Sequence, residues 1–188
     1  MPKSLSRQDG MILVDLAKKA IESVFLNDSV VADEDTKKRF SEPSGVFVTI
    51  HKYGKLRGCI GYARSGKPLY ETVINAAKSA AFQDTRFMPL SKDEFAKVEI
   101  EVSLITNPII INKENPVTVL NNIKVGKDGI MIKNSNFSGL LLPQAAVESA
   151  WSSEDLLKYA CNKFGLNEKA WLDPESKLYK FRAQVFTD

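Results

Sequence analysis

The stretch GVFVTIHKYGKLRGCIGYA, residues 45–63, decides the fold class of this chain. Apolar and other residues alternate on both sides of Tyr53-Gly54, with the period of two that characterises β-strands. Two such runs joined by a two-residue link that contains Gly are typical of a β-hairpin. The sequence therefore predicts two antiparallel strands, at residues 45–52 and 55–63.

Outward from this hairpin, helical and strand periodicities occur in separate blocks. Helices are predicted at residues 8–26, 33–40, 68–82, 91–94, 143–151 and 152–165, with a short one from Asn115-Pro116. Further strands are predicted at residues 98–106, 140–142 and 181–186, with a second hairpin at 123–133 that turns at Asp128-Gly129. This pattern is typical of α+β proteins, here with antiparallel sheets and flanking helices.

Composition restricts the class of protein. The chain has 188 residues, 44% of them hydrophobic and 26% charged, and a net charge of +3, which is ordinary for a globular domain. Two cysteines and one histidine exclude a disulfide scaffold and an ordinary structural zinc site. The N-terminus is polar, and no apolar run approaches the roughly 20 residues of a membrane span. We therefore expect a single domain, residues 1–188, in a cytoplasmic protein that does not enter a membrane.

Residues 61–67, GYARSGK, match the phosphate-binding pattern G-x-x-x-x-G-K. In that pattern a Ser or Thr follows the Lys and holds magnesium, whereas Pro68 follows it here. The preceding strand also belongs to a predicted hairpin and not to a parallel strand–helix–strand unit. We therefore interpret the match as a glycine-rich turn and not as a nucleotide site.

The segment from Pro43 to Tyr70 is basic. It contains no Asp or Glu and five cations, which are Lys52, Lys55, Arg57, Arg64 and Lys67. Because Tyr53 and Tyr62 lie among them, these cations suit an anionic partner, such as a phosphate or carboxylate ligand or single-stranded RNA. The alternative is a solvated hairpin edge, where lysines discourage pairing with another strand.

Cys59 is the candidate reactive group of the hairpin. In a regular strand Arg57, Cys59 and Gly61 share a face, so that the Arg57 guanidinium can approach the sulfur and favour the nucleophilic thiolate. Gly58 and Gly61 would leave open space beside the thiol for a ligand or another segment of backbone. The alternative is that Cys59 is a small apolar residue of a sheet core.

His51 and Cys161 are expected to have other roles. A two-residue turn sets His51 opposite Leu56, on the sheet face away from Cys59, and this register argues against a Cys–His dyad. Cys161 belongs to an apolar stripe of a predicted helix, so we expect it in the core.

Two further pairs of charged residues are candidates. Glu99 and Glu101 share a strand face, either as a carboxylate pair for acid–base chemistry or as an ordinary solvated face. Asp84 and Arg86 follow the alanine-rich helix. We expect them to form a local ion pair that fixes the loop before Phe87.

Gln144 and Glu148 lie one helical turn apart, just after Pro143. Their side chains are of the kind that binds polar groups of a ligand. The alternative is that they cap and solvate the helix.

The hexapeptide LRGCIG, residues 56–61, is identified as the hallmark of the AMMECR domain family. Other segments are similar to motifs of that family: AAFQDTRFMPLSKDE at 80–94, VEIEVSLITNP at 98–108, GLLLPQAAVESAW at 139–151, the run from Cys161 to Trp171, and the closing FRAQVF. Ala145 departs from the family pattern, which has Val there. The resemblance covers nearly the whole chain.

The resemblance implies an α+β architecture in which a larger lobe that holds both termini and a smaller lobe are separated by a cleft. The family's activity is not established, although an RNA-modification role has been suggested. Relatives occur fused to, or beside, Memo-like and radical SAM proteins, which makes such proteins expected partners. The family resemblance does not indicate a cofactor. Besides residues 56–61, the positions that match family motifs are Asp84, Arg86, Pro143, Gln144, Glu148 and Trp151.

The first functional hypothesis is a protein that binds a small anionic ligand or RNA, with or without catalysis. Cys59 would be a nucleophile or proton carrier, and Glu148 or Asp84 would act as acid or base. The residues expected to bind the ligand are Arg57, Gly58, Gly61, Asp84, Arg86 and Gln144.

The second hypothesis is a non-catalytic module that binds a partner protein or serves as a scaffold. Here residues 56–61 are structural, and Arg57 pairs with a carboxylate such as Glu99, Glu101 or Glu148. The sequence leaves open which hypothesis holds, as it does the metal content and the oligomeric state.

Overall fold

The computed structural model describes residues 4–135, 137–146 and 151–188. The chain divides into two compact units, the first formed by Met1–Asn107 with Gln184–Asp188 and the second by Pro108–Ala183. Each unit contains a four-stranded sheet with helices, and the strand pairs are antiparallel. The predicted α+β class with antiparallel sheets is confirmed.

The elements follow the predicted order along most of the chain. The α-helices are Arg7–Phe25 (α1), Glu34–Arg39 (α2), Leu69–Phe82 (α3), Lys92–Phe95 (α4), Pro116–Asn121 (α5) and Ser153–Lys163 (α6). The strands are Gly45–Lys52 (β1), Lys55–Tyr62 (β2), Val98–Ile105 (β3), Ile109–Ile110 (β4), Gly129–Lys133 (β5), Ser138–Leu141 (β6), Lys177–Phe181 (β7) and Ala183–Thr187 (β8). Short 3₁₀ helices cover Pro143–Ala146 and Ala170–Leu172.

The β1–β2 hairpin turns at Tyr53-Gly54, where both residues have positive φ, 52° and 71°. Such a turn matches the twist of the flanking strands. His51 lies opposite Leu56, as predicted. Its predicted placement on the face away from Cys59 is wrong, because Thr49 pairs with Cys59 and His51, two residues further along β1, shares the face of Thr49. A bulge follows, because Ile50 pairs with Gly58 and one extra residue, Arg57, stands between the two pairs. The regular alternation that would place Arg57 on the face of Cys59 is therefore interrupted.

The first sheet has the strand order β2-β1-β3-β8, so that β2 is an edge strand. Apolar side chains of β1 and β3 line one face and are almost completely buried, among them Val48, Ile50 and Val102. The helices α1 and α3 contribute to the same core cluster. Because β2 pairs antiparallel to β1, the loop after it lacks the parallel strand–helix–strand setting of a phosphate-binding loop.

Helix α1 begins at a capping box formed by Ser6 and Asp9, and buries the predicted stripe that includes Leu13, Ala17 and Ala20. Its other face carries charged residues. Within the described ranges no helix is both long and apolar enough to cross a membrane.

The second unit is built on a sheet with the strand order β4-β7-β5-β6. Helix α6 buries Leu157 and Cys161 in one cluster with Ile130, Ile132 and Leu178. Cys161 is fully buried, as predicted, and burial raises the pKa of its thiol.

One predicted strand is wrong, and another is confirmed with different bounds. Residues 123–128 form a turn instead of a strand, because the Asp128 carboxylate accepts the backbone N–H of Lys124 at 2.9 Å; β5 pairs with β6 and β7. The single strand predicted at 181–186 is split at Arg182, with β7 in the second sheet and β8 in the first.

Candidate functional site

The backbone of Cys59 is held by two charged side chains. The carboxylate of Asp84 accepts the Cys59 N–H at 2.9 Å, and a guanidinium N–H of Arg86 donates to the Cys59 carbonyl at 3.1 Å. Cys59 lies on the edge strand β2, where outward backbone groups lack a neighbouring strand. Asp84 and Arg86 therefore replace that strand at one residue.

Asp84 and Arg86 also bind each other in a fork. The Arg86 Nε and Nη2 atoms donate to Oδ1 and Oδ2 of Asp84 at 2.9 and 2.6 Å, and the predicted local ion pair is confirmed. These bonds lower the pKa of Asp84 to about 2, against the opposing effect of burial. The side chain of Asp84 is 4% exposed, whereas that of Arg86 is 46% exposed, so the guanidinium remains accessible from solvent.

The thiol of Cys59 is positioned from a second direction. The hydroxyl of Thr49, on β1, donates to Sγ at 3.3 Å. Thr49 is buried, and Cys59 is half-buried. The pKa of Arg86 is raised, mainly by its hydrogen bonds to Asp84 and to a smaller extent by the charge of a Cys59 thiolate, so Arg86 lies within electrostatic reach of the sulfur.

Arg57 has a different environment from the one expected. Its Nε and Nη2 atoms donate to the two carboxylate oxygens of Glu94 at 3.3 and 3.0 Å, and Nη2 also donates to the carbonyl of Met88 at 2.9 Å. The predicted pairing with Glu99 or Glu101 is therefore wrong. Because the Arg57 guanidinium is bonded to Glu94, the cation that bonds to Cys59 is Arg86.

Glu94 joins three parts of the first unit. It closes the capping box of α4 with Ser91, pairs with Arg57, and accepts a hydrogen bond from Lys52 Nζ at 2.7 Å. The pKa of Glu94 is lowered to about 2, mostly by its hydrogen bonds with Arg57 and next by the one with Lys52. Two of the five cations in the basic segment thus share one carboxylate outside it, which offsets one of their two charges. The other three, Lys55, Arg64 and Lys67, are exposed.

The two glycines of the hexapeptide are packed against the protein itself. A Cβ at Gly58 would lie 2.3 Å from the carbonyl oxygen of Ala80 on α3. A Cβ at Gly61 would lie 2.4 Å from the Phe47 ring and from the backbone oxygen of Val46. The predicted open space at these positions is absent, because neighbouring backbone and an aromatic ring fill it. Both glycines allow close packing.

Phe87 lies between the two guanidinium groups. Its ring centroid is 5.8 Å from Cζ of Arg57 and 5.5 Å from Cζ of Arg86, both within the range of cation–π attraction. The half-buried ring therefore contacts both the Arg57–Glu94 salt bridge and the Asp84–Arg86 pair that holds the backbone of Cys59.

Comparison with known proteins supports the resemblance seen in the sequence. The sequence profile described as AMMECR1 matches residues 14–186. The chain belongs to the AMMECR1 family.

Several curated relatives of this AMMECR1-family chain come from archaea. It is 41% identical to a protein of Thermofilum pendens, over 98% of this chain and 92% of that one. It is 41% identical to a protein of Methanothermobacter thermautotrophicus, over 97% and 95%. The crystal structure of the uncharacterized protein PH0010 from Pyrococcus horikoshii superimposes with a TM-score of 0.92 at 38% identity, over 98% and 93% of the two chains. These relatives identify family and fold.

The remaining candidates of the AMMECR1-family chain fall into three groups. Gln144 lies in the 3₁₀ helix of the second unit and is half-buried. Glu148 lies outside the described residues. On β3, Glu99 is exposed, and Glu101 accepts a hydrogen bond from the hydroxyl of Ser103 at 3.0 Å. In the described part of the chain no cluster of three or more His, Cys, Asp or Glu side chains is arranged to hold a metal ion.

Thr49, Phe87 and Glu94 are parts of the site that sequence reasoning missed. Thr49 lies opposite Cys59 only because of the bulge at Arg57; the regular register predicted from the turn would set Thr49 opposite Gly58. Glu94 lies in the helical turn predicted at residues 91–94. Its ion pair with Arg57 spans 37 residues, and no local pattern reports a pairing of that kind.

Proposed function

We propose that this AMMECR1-family protein binds a small anionic ligand at Cys59 and Arg86, and that the Cys59 thiolate is the reacting group. One observation carries the proposal: the side chains of Asp84, Arg86 and Thr49 fix both the backbone and the sulfur of a half-buried cysteine. A thiol whose backbone and sulfur are both held by neighbouring side chains is pre-organised for nucleophilic attack or proton transfer.

The charges around the thiol support an anionic ligand. The guanidinium of Arg86 is half-exposed, and a fork of N–H donors beside a thiolate both stabilises the thiolate and binds carboxylate or phosphate. Lys52, Arg57 and Arg86 outnumber Glu94 and Asp84 by one charge. The ligand therefore meets a weakly positive surface.

Asp84 serves as a positioning residue in this proposal. A carboxyl group whose pKa is about 2 is ionised at neutral pH, and its oxygens already accept hydrogen bonds from Cys59 and Arg86. It therefore has no proton to give. The role of acid or base falls to Cys59 itself.

The second candidate function is a non-catalytic partner-binding module. The observation that favours it is that Arg57, Gly58 and Gly61 all have structural contacts. On this account the hexapeptide maintains the hairpin, and a partner protein binds elsewhere on the chain.

The test is protection of Cys59 from iodoacetamide, measured by peptide mass spectrometry. Inorganic phosphate and acetate are the small anions, and a single-stranded RNA oligomer tests the polymeric alternative. We expect a small anion to slow alkylation saturably. Arg86→Gln should abolish that protection, whereas Arg64→Gln, which removes an exposed cation of the basic segment, should retain it.

Protection by RNA alone, with a steep loss at higher salt, would assign the site to nucleic acid, because phosphate contacts release counterions. Equal alkylation with every anion, in a folded protein, would contradict the proposal. In that case the partner-binding alternative would remain.

A further inference from the structure

The second unit contains a depression of about 520 Å³. It lies between the residues that follow edge strand β4 and the loop that precedes β7. Ile110 and Leu172 line its apolar part and are 59% and 39% exposed. The volume is within the roughly 300–1,000 Å³ of small-molecule pockets. All its lining residues belong to the second unit, so it is a separate feature from the Cys59 site.

Two ammonium groups line the same depression. Lys113 and Lys177 are both among its lining residues, and the described residues that line it include no Asp or Glu. Burial lowers the pKa of Lys113, in keeping with a partly desolvated ammonium. Lys177 is exposed. Because both cations and aliphatic side chains line the depression, it is amphipathic.

The ammonium of Lys113 is fixed in place by the loop. Its Nζ donates to the backbone carbonyls of Asp173 and Ser176, the latter at 2.6 Å. An ammonium has three N–H donors, so one remains for a ligand. A cation held by backbone is already ordered, and binding to it costs less side-chain entropy than binding to a free lysine.

The charge of the pocket matches a single negative charge. The carboxylate of Asp173 interacts with Lys113 through space and offsets one of the two lysines. Lys113 and Lys177 against Asp173 leave +1. The Glu114 carboxylate, which accepts a hydrogen bond from the Asn112 amide beside Lys113, reduces this charge further. A weak positive charge favours a monoanion over a dianion.

We propose that this pocket binds a monocarboxylate with a short hydrocarbon chain. The carboxylate contacts the free N–H of Lys113 and the ammonium of Lys177. The hydrocarbon chain covers Ile110 and Leu172, which would otherwise stay exposed to water. Each buried methylene should tighten binding about fourfold, so affinity rises with chain length until the apolar part is filled.

The experiment is a titration of the ¹⁵N-labelled full chain with hexanoate, followed by amide chemical shifts. We expect saturable shifts at Asn112, Ser176 and Leu178, weaker binding of acetate, and weaker binding of the neutral hexanamide. Lys177→Glu should weaken hexanoate binding about fivefold, the order expected when one solvent-exposed ion pair becomes a repulsion. Lys127→Glu makes the same charge change at an exposed turn of the same unit and should leave the affinity unchanged.

Two variants separate the two halves of the pocket. Leu172→Ala should weaken hexanoate and leave acetate unaltered. Lys113→Met removes the fixed ammonium, but it also removes the hydrogen bonds that hold the loop. If that variant fails to fold, Lys177→Glu tests the proposal in its place, because Lys177 is exposed. Equal binding of hexanoate and hexanamide, an affinity unchanged in Lys177→Glu, or shifts that do not saturate would each overturn the proposal.

Discussion

The carboxylate of Asp84 accepts the backbone N–H of Cys59 at 2.9 Å, across 25 residues of chain. An acidic side chain thus occupies the position of a neighbouring strand. Arg86 completes the arrangement by donating to the Cys59 carbonyl. The loop after α3 and the edge of β2 therefore act as one structure, and the thiol of Cys59 takes its position from both.

Asp84→Asn should destabilise the protein. The amide keeps an oxygen for the Cys59 N–H and loses the charge that binds Arg86. A pKa of about 2 against an ordinary 3.8 corresponds to about 2 kcal/mol of stability at neutral pH. Urea unfolding measures this loss. Glu99→Gln, at an exposed position of β3, is the control and should cost little; equal losses in both variants would contradict the role of the ion pair.

Stability should fall in acid over a defined range of pH. The pKa values of Asp84 and Glu94 are both lowered in the folded state, to about 2 from 3.8 and 4.5. Groups with lowered pKa values stabilise the fold above their unfolded pKa, and that stability is lost as the pH falls through the folded pKa. The free energy of unfolding should therefore decline between about pH 4.5 and pH 2. In Asp84→Asn the decline should be shallower, and an unchanged slope would refute this assignment.

Arg57→Ala should reduce stability by about 2 kcal/mol, because a forked ion pair and a bond to the Met88 carbonyl are lost together. Arg57→Lys should recover only part of it, since an ammonium cannot form the fork. Thermal and urea unfolding measure both variants. Lys55→Ala, an exposed neighbour, should be neutral. A melting temperature unchanged in Arg57→Ala would show that the salt bridge is not structural.

Gly58→Ala should be costly, because the added methyl would meet the Ala80 carbonyl oxygen at 2.3 Å. Relief requires the strand and α3 to separate, at about 2 kcal/mol or more. Gly66→Ala is the matched control, since nothing lies within 4 Å of its Cβ position. Urea unfolding of the two variants compares them directly; similar stabilities would contradict the close contact between strand and helix.

The local geometry of the hairpin could be predicted from the sequence. A two-residue turn at Tyr53-Gly54 determines the register, so the pairing of His51 with Leu56 follows from it. The bulge at Arg57 does not, because the extra residue depends on the partner strand and on the fork to Glu94. That bulge is why Arg57 was assigned to the wrong neighbours.

The errors elsewhere have a similar cause. Residues 123–126 alternate as a strand does, yet the Asp128 carboxylate caps the backbone of Lys124 and closes a turn. The predicted strand at 181–186 is also periodic, but the chain changes sheets at Arg182. Period alone reports neither a side-chain cap nor the sheet to which a strand belongs.

Of the candidate site, the sequence identified Cys59, Asp84 and Arg86 but not how they are connected. The ion pair of Asp84 with Arg86 is local and was predicted. Their bonds to Cys59 cross 25 and 27 residues. Only the fold brings such residues together.

If Cys59 is a positioned thiolate, the rate of its alkylation will depend on pH in a way that a buried thiol does not show. Cys161, fully buried and with a raised pKa, is the internal control within the same sample. We expect Cys59 to react much faster than Cys161 in the folded protein, with a midpoint below the roughly 8.5 of a free thiol. Arg86→Gln should move that midpoint upward. A Cys59 that stays unreactive until the protein unfolds, together with Cys161, would contradict the account and leave residues 56–61 a structural hairpin.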